Sequence, residues 1–98
     1  MNYEWHEAKR DVNIAKHGID FMDADLVFEA SFKVTVNATR DQEGGKRLAD
    51  FAEVEGQVWK LVYTLRGENV RCISLRIASQ KERRQYDEIK SQSERRNE

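Results

Sequence analysis

Residues 58–89 are organised as a strand, a turn, a second strand and a helix, and they carry a dense set of cations. Val58 to Leu65 alternates, with Trp59, Leu61, Tyr63 and Leu65 on one face and Val62 on the other. Arg66-Gly67-Glu68-Asn69 turns the chain, and Val70 to Ile77 returns as a strand. Strict alternation there puts Arg71, Ile73, Leu75 and Ile77 on one face and Val70, Cys72, Ser74 and Arg76 on the other. Ser79-Gln80-Lys81-Glu82 is a capping box: the serine oxygen accepts from an early helical amide and Glu82 reaches back to the amide of Ser79. The helix continues through Tyr86 and Ile89. Arginines on a strand, followed by Lys81, Arg83 and Arg84 at a helix start, are cations on rigid elements, as phosphodiester binding requires.

Upstream, Tyr3-Glu4-Trp5 reads as a short strand. Ala8, Val12 and Ala15 recur at helical spacing and are the expected buried stripe of a helix from Glu7 to Lys16, with Gly18 as its stop. Asp20 is placed to cap a second helix whose buried residues are Phe21, Ala24, Val27 and Phe28, with Ile19 stapled against Ala24. Phe32 to Asn37 alternates as a strand, and Arg40 to Lys46 is a polar loop. Arg47 to Val54 is a weaker strand, interrupted by Asp50 and Glu53, and Glu55-Gly56 is a hairpin turn. The expected order is β-α-α-β-β-β-β-α. This is an α+β fold of two layers, an antiparallel four- to five-stranded sheet packed by the N-terminal helices and the C-terminal helix. Residues 1–90 are expected to form one domain. Residues 91–98 have no aliphatic or aromatic side chain and are expected to fray.

The 98 residues carry a net charge of −1, which excludes a uniformly basic nucleic-acid binder. The charge is nonetheless polarised: residues 1–59 sum to −5 and residues 60–98 to +4. That asymmetry points to a polyanion on one side and a basic partner on the other. Cys72 is the only cysteine, so it has no internal disulfide partner, and its apolar neighbours mark it as a core residue. The first five residues lack the basic start and apolar stretch of a signal peptide, and no apolar run approaches the ~20 residues of a membrane span. The expected location is the cytoplasm, and no membrane contact is expected.

His6 and His17 are the only histidines and neither has a second ligand at a recognised metal-binding spacing, so no metal and no cofactor is expected. Phosphate-loop, dinucleotide and Gly-x-Ser-x-Gly motifs are missing. His17, at the end of the first helix, is either a cation against the helix dipole or a proton carrier. Arg71 and Arg76 must each find a partner or reach the sheet edge, and Asp50 and Glu53 are the carboxylates available for a structural pair. Arg47 follows a glycine pair and can reach over a groove.

Trp5-His6-Glu7-Ala8-Lys9 followed by Asn13-Ile14-Ala15-Lys16-His17-Gly18-Ile19-Asp20-Phe21 resembles the N-terminal signature of the BrnT family. Tyr63-Thr64-x-Arg66-Gly67, Arg71-x-Ile73-Ser74-x-Arg76-x-Ala78 and Glu82-Arg83-Arg84-x-Tyr86 resemble its C-terminal signature. The ordered set spans Tyr3 to Tyr86. The resemblance implies a RelE-like fold and a type II toxin that cleaves RNA. It also implies a hetero-oligomer with a BrnA-type antitoxin, a DNA-binding repressor through which alone the toxin meets DNA. Lys16, His17, Arg47, Arg66, Arg71, Ser74, Arg76, Arg83 and Tyr86 match the family's motifs. The chemistry of RNA cleavage then gives the expected roles: His17 or a carboxylate such as Glu53 as base, Arg71 and Arg76 to stabilise charge, Arg83, Lys81 or Tyr86 to grip phosphate and deliver a proton, and Lys16, Arg47, Arg66 and Lys81 as substrate contacts. Two segments depart from the family pattern. Gly44-Gly45-Lys46-Arg47 lacks the acidic residue usual after the glycine, and Asp50-Phe51-Ala52 stands where Ala-Ile-Gly is usual. The alternative is a non-catalytic module that acts as a corepressor with its antitoxin.

Overall fold

A computed structural model describes residues 1–40 and 45–96. The chain runs through β1 (Asn2–Glu4), α1 (Glu7–His17), a 3-10 turn (Phe21–Asp23), α2 (Asp25–Phe28), β2 (Val34–Asn37), β3 (Leu48–Val54), β4 (Gln57–Arg66), β5 (Asn69–Ile77) and α3 (Gln80–Arg96). The five strands make one sheet in the order β1-β5-β4-β3-β2. β2 to β5 form the expected antiparallel meander, and β1 pairs parallel to the start of β5. Of the polar loop expected from Arg40 to Lys46, residues 41–44 lie outside the described residues.

Local chemistry sets the boundaries. Gly18 adopts the left-handed φ of 74° that closes α1, and its amide bonds to the carbonyl of Ile14 at 2.8 Å. Asp20 accepts from the amide of Met22, as a cap should, but the expected second helix is a 3-10 turn followed by one α-helical turn. Glu55 and Gly56 both have positive φ, the twist that suits a two-residue hairpin between β3 and β4. α3 is helical to Arg96, so residues 91–96, where fraying is expected, continue the helix. The segment is rich in good helix formers, which hold it without burial.

The helices cover both faces of the sheet, which corrects the two-layer expectation. On one face Ile19, Phe21, Ala24 and Val27 pack against Ala52, Val54, Leu61, Tyr63, Val70, Cys72 and Leu75. On the other, Tyr86 of α3 packs with Ala49, Phe51 and Val58. The division follows strand alternation: Leu61 and Tyr63 point one way, Val58 and Val62 the other. Cys72 is 2% exposed and burial pushes its thiol up to about 12, so it is an inert core residue.

Two polar residues anchor this framework. Asp50, fully buried on β3, accepts from Lys33 (2.7 Å), Thr35 (2.7 Å) and Tyr63 (3.0 Å). Asn13 corrects the expected face of α1. Ala8, Val12 and Ala15 face solvent, and Asn13 is the buried residue. Its amide nitrogen donates to the carbonyls of Ile19 and Leu75, and its oxygen accepts from the amide of Leu75 at 3.1 Å. β1 covers β5 only as far as Arg71, so this side chain supplies the hydrogen bonds of the missing strand. Asn13→Ala strands buried peptide groups on both partners. The expected cost is about 2 kcal/mol, a fall in melting temperature of roughly 8–16 °C in a domain of this size. A thermal melt within 2 °C of the wild type would show that water replaces the asparagine.

Candidate active site

A β-bulge in β5 builds the site. Val62 pairs with Ser74 and Tyr63 with Cys72, so Ile73 is an extra residue. The bulge resets the alternation and corrects the faces expected for this strand. Val70, Cys72 and Leu75 all enter the core, while Ser74 and Arg76 turn to the opposite face beside Val62 and Lys60. Arg76 sits directly across from Lys60.

Arg76 is neither free nor paired with Asp50 or Glu53. Its two terminal nitrogens donate to the two oxygens of Glu82 at 2.8 and 3.0 Å, and one also donates to the carbonyl of Ile77. Lys60 meets Glu82 at 3.2 Å. The same carboxylate accepts from the amide of Ser79 at 2.8 Å, while Ser79 Oγ accepts from the amide of Glu82, which completes the capping box. Burial alone would push the Glu82 carboxyl up. Arg76, the Ser79 amide and Lys60 outweigh it and hold the group at about 2.

Two cavities flank the bulge and share Ile73 and Ser74. One, of about 460 Å³, lies over β2 to β5 and is lined by Arg40, Arg47, Lys60 and Arg76. The other, of about 490 Å³, lies between α1 and β5 and is lined by His6, Lys9, Lys16 and His17. Among the described residues, neither lining contains an aspartate or glutamate. Burial, then the charges of Lys16 and Arg76, lower the His17 imidazole from its ordinary 6.5. His17 is therefore neutral at pH 7 and able to accept a proton.

Lys16 and His17 thus line the cavity against α1, and Arg47 and Arg76 line its neighbour, which adjoins it at Ile73 and Ser74. Arg66 lies apart, at the far end of β4 in a separate hollow with Lys46. Arg71 pairs with Glu4 of β1 at 3.5 Å and lines neither cavity. Arg83 donates to the carbonyl of Gly56 and pairs with Asp87; Lys81 is exposed on α3, and neither lines the groove. Tyr86 is 3% exposed and stacks edge-on against Phe32, a core position. Burial raises its hydroxyl pKa. Sequence reasoning missed Lys60, Arg40, His6 and Lys9 as groove residues. Lys60 was in principle visible on the face of β4 opposite Trp59 and Leu61. Among the described residues, no group of three His, Cys, Asp or Glu side chains comes together as a metal-binding set.

A family model described as a ribonuclease toxin, BrnT, of type II toxin–antitoxin systems matches residues 5–82. This chain belongs to the BrnT family. A type II toxin has a protein antitoxin as its partner, and the family is one of ribonucleases. The match runs from Trp5 to Glu82, so it contains the whole groove and leaves Arg83 and Tyr86 beyond it. No curated protein matches the chain. Among the described residues, no helix is long and apolar enough to cross a membrane.

Glu82→Gln tests the knot of charges that fixes Arg76. A carboxyl held low stabilises the fold above its ordinary value and loses that contribution as pH falls through its folded value. At pH 7 the variant is expected to be less stable by on the order of 2 kcal/mol, allowing for solvent screening. The gap should shrink as pH falls from 4.5 towards about 2. A gap that stays constant across that range would mean the charge contributes nothing.

Proposed function

We propose that the groove is the active site of a metal-independent endoribonuclease toxin that cuts RNA by attack of a ribose 2′-OH on the neighbouring phosphate. The observation that carries this reading is His17, its imidazole lowered by burial and then by the charges of Lys16 and Arg76, in one of two adjoining cavities whose described lining residues include no carboxylate. His17 takes the 2′ proton as the 2′ oxygen bonds to phosphorus. Arg76 and Arg47 stabilise the charge that grows on the phosphoryl oxygens. Arg76 retains its Nε–H for this task, because only its terminal nitrogens engage Glu82 and Ile77. The bond from phosphorus to the 5′ oxygen breaks, and that oxygen leaves with a proton from an ammonium of the groove, Lys16 or Lys60. The products are a 2′,3′-cyclic phosphate and a 5′-hydroxyl. A BrnA-type antitoxin, itself a DNA-binding repressor, neutralises the toxin by covering these cations. This activity belongs in the cytoplasm, where RNA and antitoxin meet.

A second reading has a specific observation behind it. Glu82 already neutralises much of the charge of Arg76 and Lys60, as it would in a non-catalytic corepressor module. Expression alone separates the two: growth arrest that Arg76→Ala relieves supports the enzyme, and no arrest from a folded chain supports the module.

Purified protein is expected to cleave RNA in EDTA, and Arg76→Ala to lose at least about 100-fold in rate, as when a group that meets transition-state charge is removed. Because His17 acts as the neutral base, kcat/KM should be level through neutral pH. It should fall only below the ordinary histidine value of 6.5. His17→Gln should abolish that limb along with most of the rate. Cleavage that stops in chelator would overturn the mechanism.

A further inference from the structure

We propose that the cavity between α1 and the bulge of β5 is a nucleoside subsite, holding the nucleotide next to the cleaved phosphate with its base against Val12 and Ile73. The proposal rests on the ribonuclease reading and extends it to a part of the molecule that the chemistry does not use. Val12 lines this cavity from α1 and is 62% exposed, although its spacing with Ala8 and Ala15 is that of a buried stripe. Ala8, Val12 and Ile73 give the cavity an apolar floor, and Lys9 and Lys16 give it positive charge. A flat apolar surface under basic side chains suits a nucleobase joined to phosphates, since bases bind through their faces and the backbone through charge. The volume of about 490 Å³ lies in the range of small-molecule sites.

Continuity favours RNA over an acidic segment of a protein. The cavity shares Ile73 and Ser74 with the groove that holds Arg76, and His17 is part of its own lining. A single strand whose phosphate lies between His17 and Arg76 must carry its next nucleotide along one of two directions. One of them enters this cavity, and the cationic lining continues along it. Asn13, in the same lining, is committed to Ile19 and Leu75, so stacking and exclusion of water dominate the fit, and the subsite accepts more than one base.

The test uses the full chain and two octanucleotides, one of 2′-O-methyl RNA, which has no 2′-OH to attack, and one abasic oligomer of the same length. Val12→Glu puts a charge on the floor at an exposed position, and circular dichroism checks the fold. It should weaken binding of the 2′-O-methyl oligomer about tenfold, as expected when a stacked base is lost. Lys9→Gln should weaken it less and lower its salt dependence. The abasic oligomer should bind wild type and Val12→Glu with affinities within twofold of each other. Unchanged binding of the base-bearing oligomer by Val12→Glu overturns the subsite, even where ribonuclease activity is intact. Equal losses on both oligomers also overturn it, because they would report charge repulsion alone. Retained RNA affinity with lost neutralisation by the antitoxin assigns the cavity to the protein partner instead. A Val12-dependent base contact in a chain that does not cleave RNA upholds the subsite and removes the nuclease reading.

Discussion

The inserted residue at Ile73 is the constraint on which the rest of the molecule depends. In an unbroken strand Arg76 shares its face with Val70 and Cys72, and a guanidinium would stand in the core. Burying an unpaired charge costs far more than a small domain's stability allows. One extra residue resolves the conflict. Upstream of it Val70 and Cys72 face the helices, and downstream Leu75 takes over, so the core stays continuous. Ser74 and Arg76 are carried to the other face, beside Lys60. Bulges commonly re-aim side chains next to active sites, and here the re-aimed residue is the central arginine. Because a bulge loosens the ladder, the strand needs a second restraint just beyond it. Asn13 gives one by exchanging two hydrogen bonds with Leu75, which ties α1 to the same segment and fixes His17 one turn further on.

Glu82 joins the site to the stability of the fold. A groove with Arg40, Arg47, Lys60 and Arg76 and no counter-charge would repel itself in the absence of RNA. The carboxylate that relieves part of this strain is also the reciprocal half of the α3 cap. Orientation of Arg76 and initiation of α3 are therefore one event, and a change at either reaches the other. In the proposed mechanism RNA does not need to displace Glu82, since a phosphate can approach the unengaged side of the guanidinium. Its approach does add a second anion near a group already held at about 2, so binding and the pairing within the knot are coupled.

Much of the backbone was readable because its signals are local. The hairpin of β4 and β5, the glycine that closes α1, the Asp20 cap and the capping box at Ser79 each rest on a few adjacent residues. What escaped reading depended on contacts distant in sequence. Strict alternation has no means of registering a bulge, so it misassigned both faces of β5. Helical periodicity identified Ala8, Val12 and Ala15 as a stripe but could not tell inward from outward. The side that faces in carries Asn13, whose partners lie on a strand some sixty residues later. The charge pattern likewise offered many arginines without their depth or partners. Arg71 is committed to Glu4 and Arg83 to Gly56 and Asp87, whereas Lys60, less conspicuous in the sequence, reaches the groove. Asp50, which breaks both the strand pattern and the family pattern, is a satisfied hub among Lys33, Thr35 and Tyr63.

The two faces of the sheet carry different work, and the position of α3 divides it. One face is fully committed to the main core. The other is covered where Tyr86 meets Ala49, Phe51 and Val58, with Phe32 and Val34 packed beside them, and among the described residues its β4–β5 half forms the open groove. A domain of this length has little apolar surface to spare, so an uncovered half-face costs stability. Charged side chains can line that surface without exposing a hydrophobic patch, because their stems shield it while their heads stay hydrated. Lys60, across from Phe51 on the neighbouring strand, does this visibly, with its ammonium 5.6 Å from the Phe51 ring centre and 3.2 Å from Glu82. A longer or differently angled α3 would close the groove and gain core at the expense of the cations' access to RNA. The capping box starts the helix at the one point from which it can bury Tyr86, hold Arg76 through Glu82 and still leave the space beside Ser74 open.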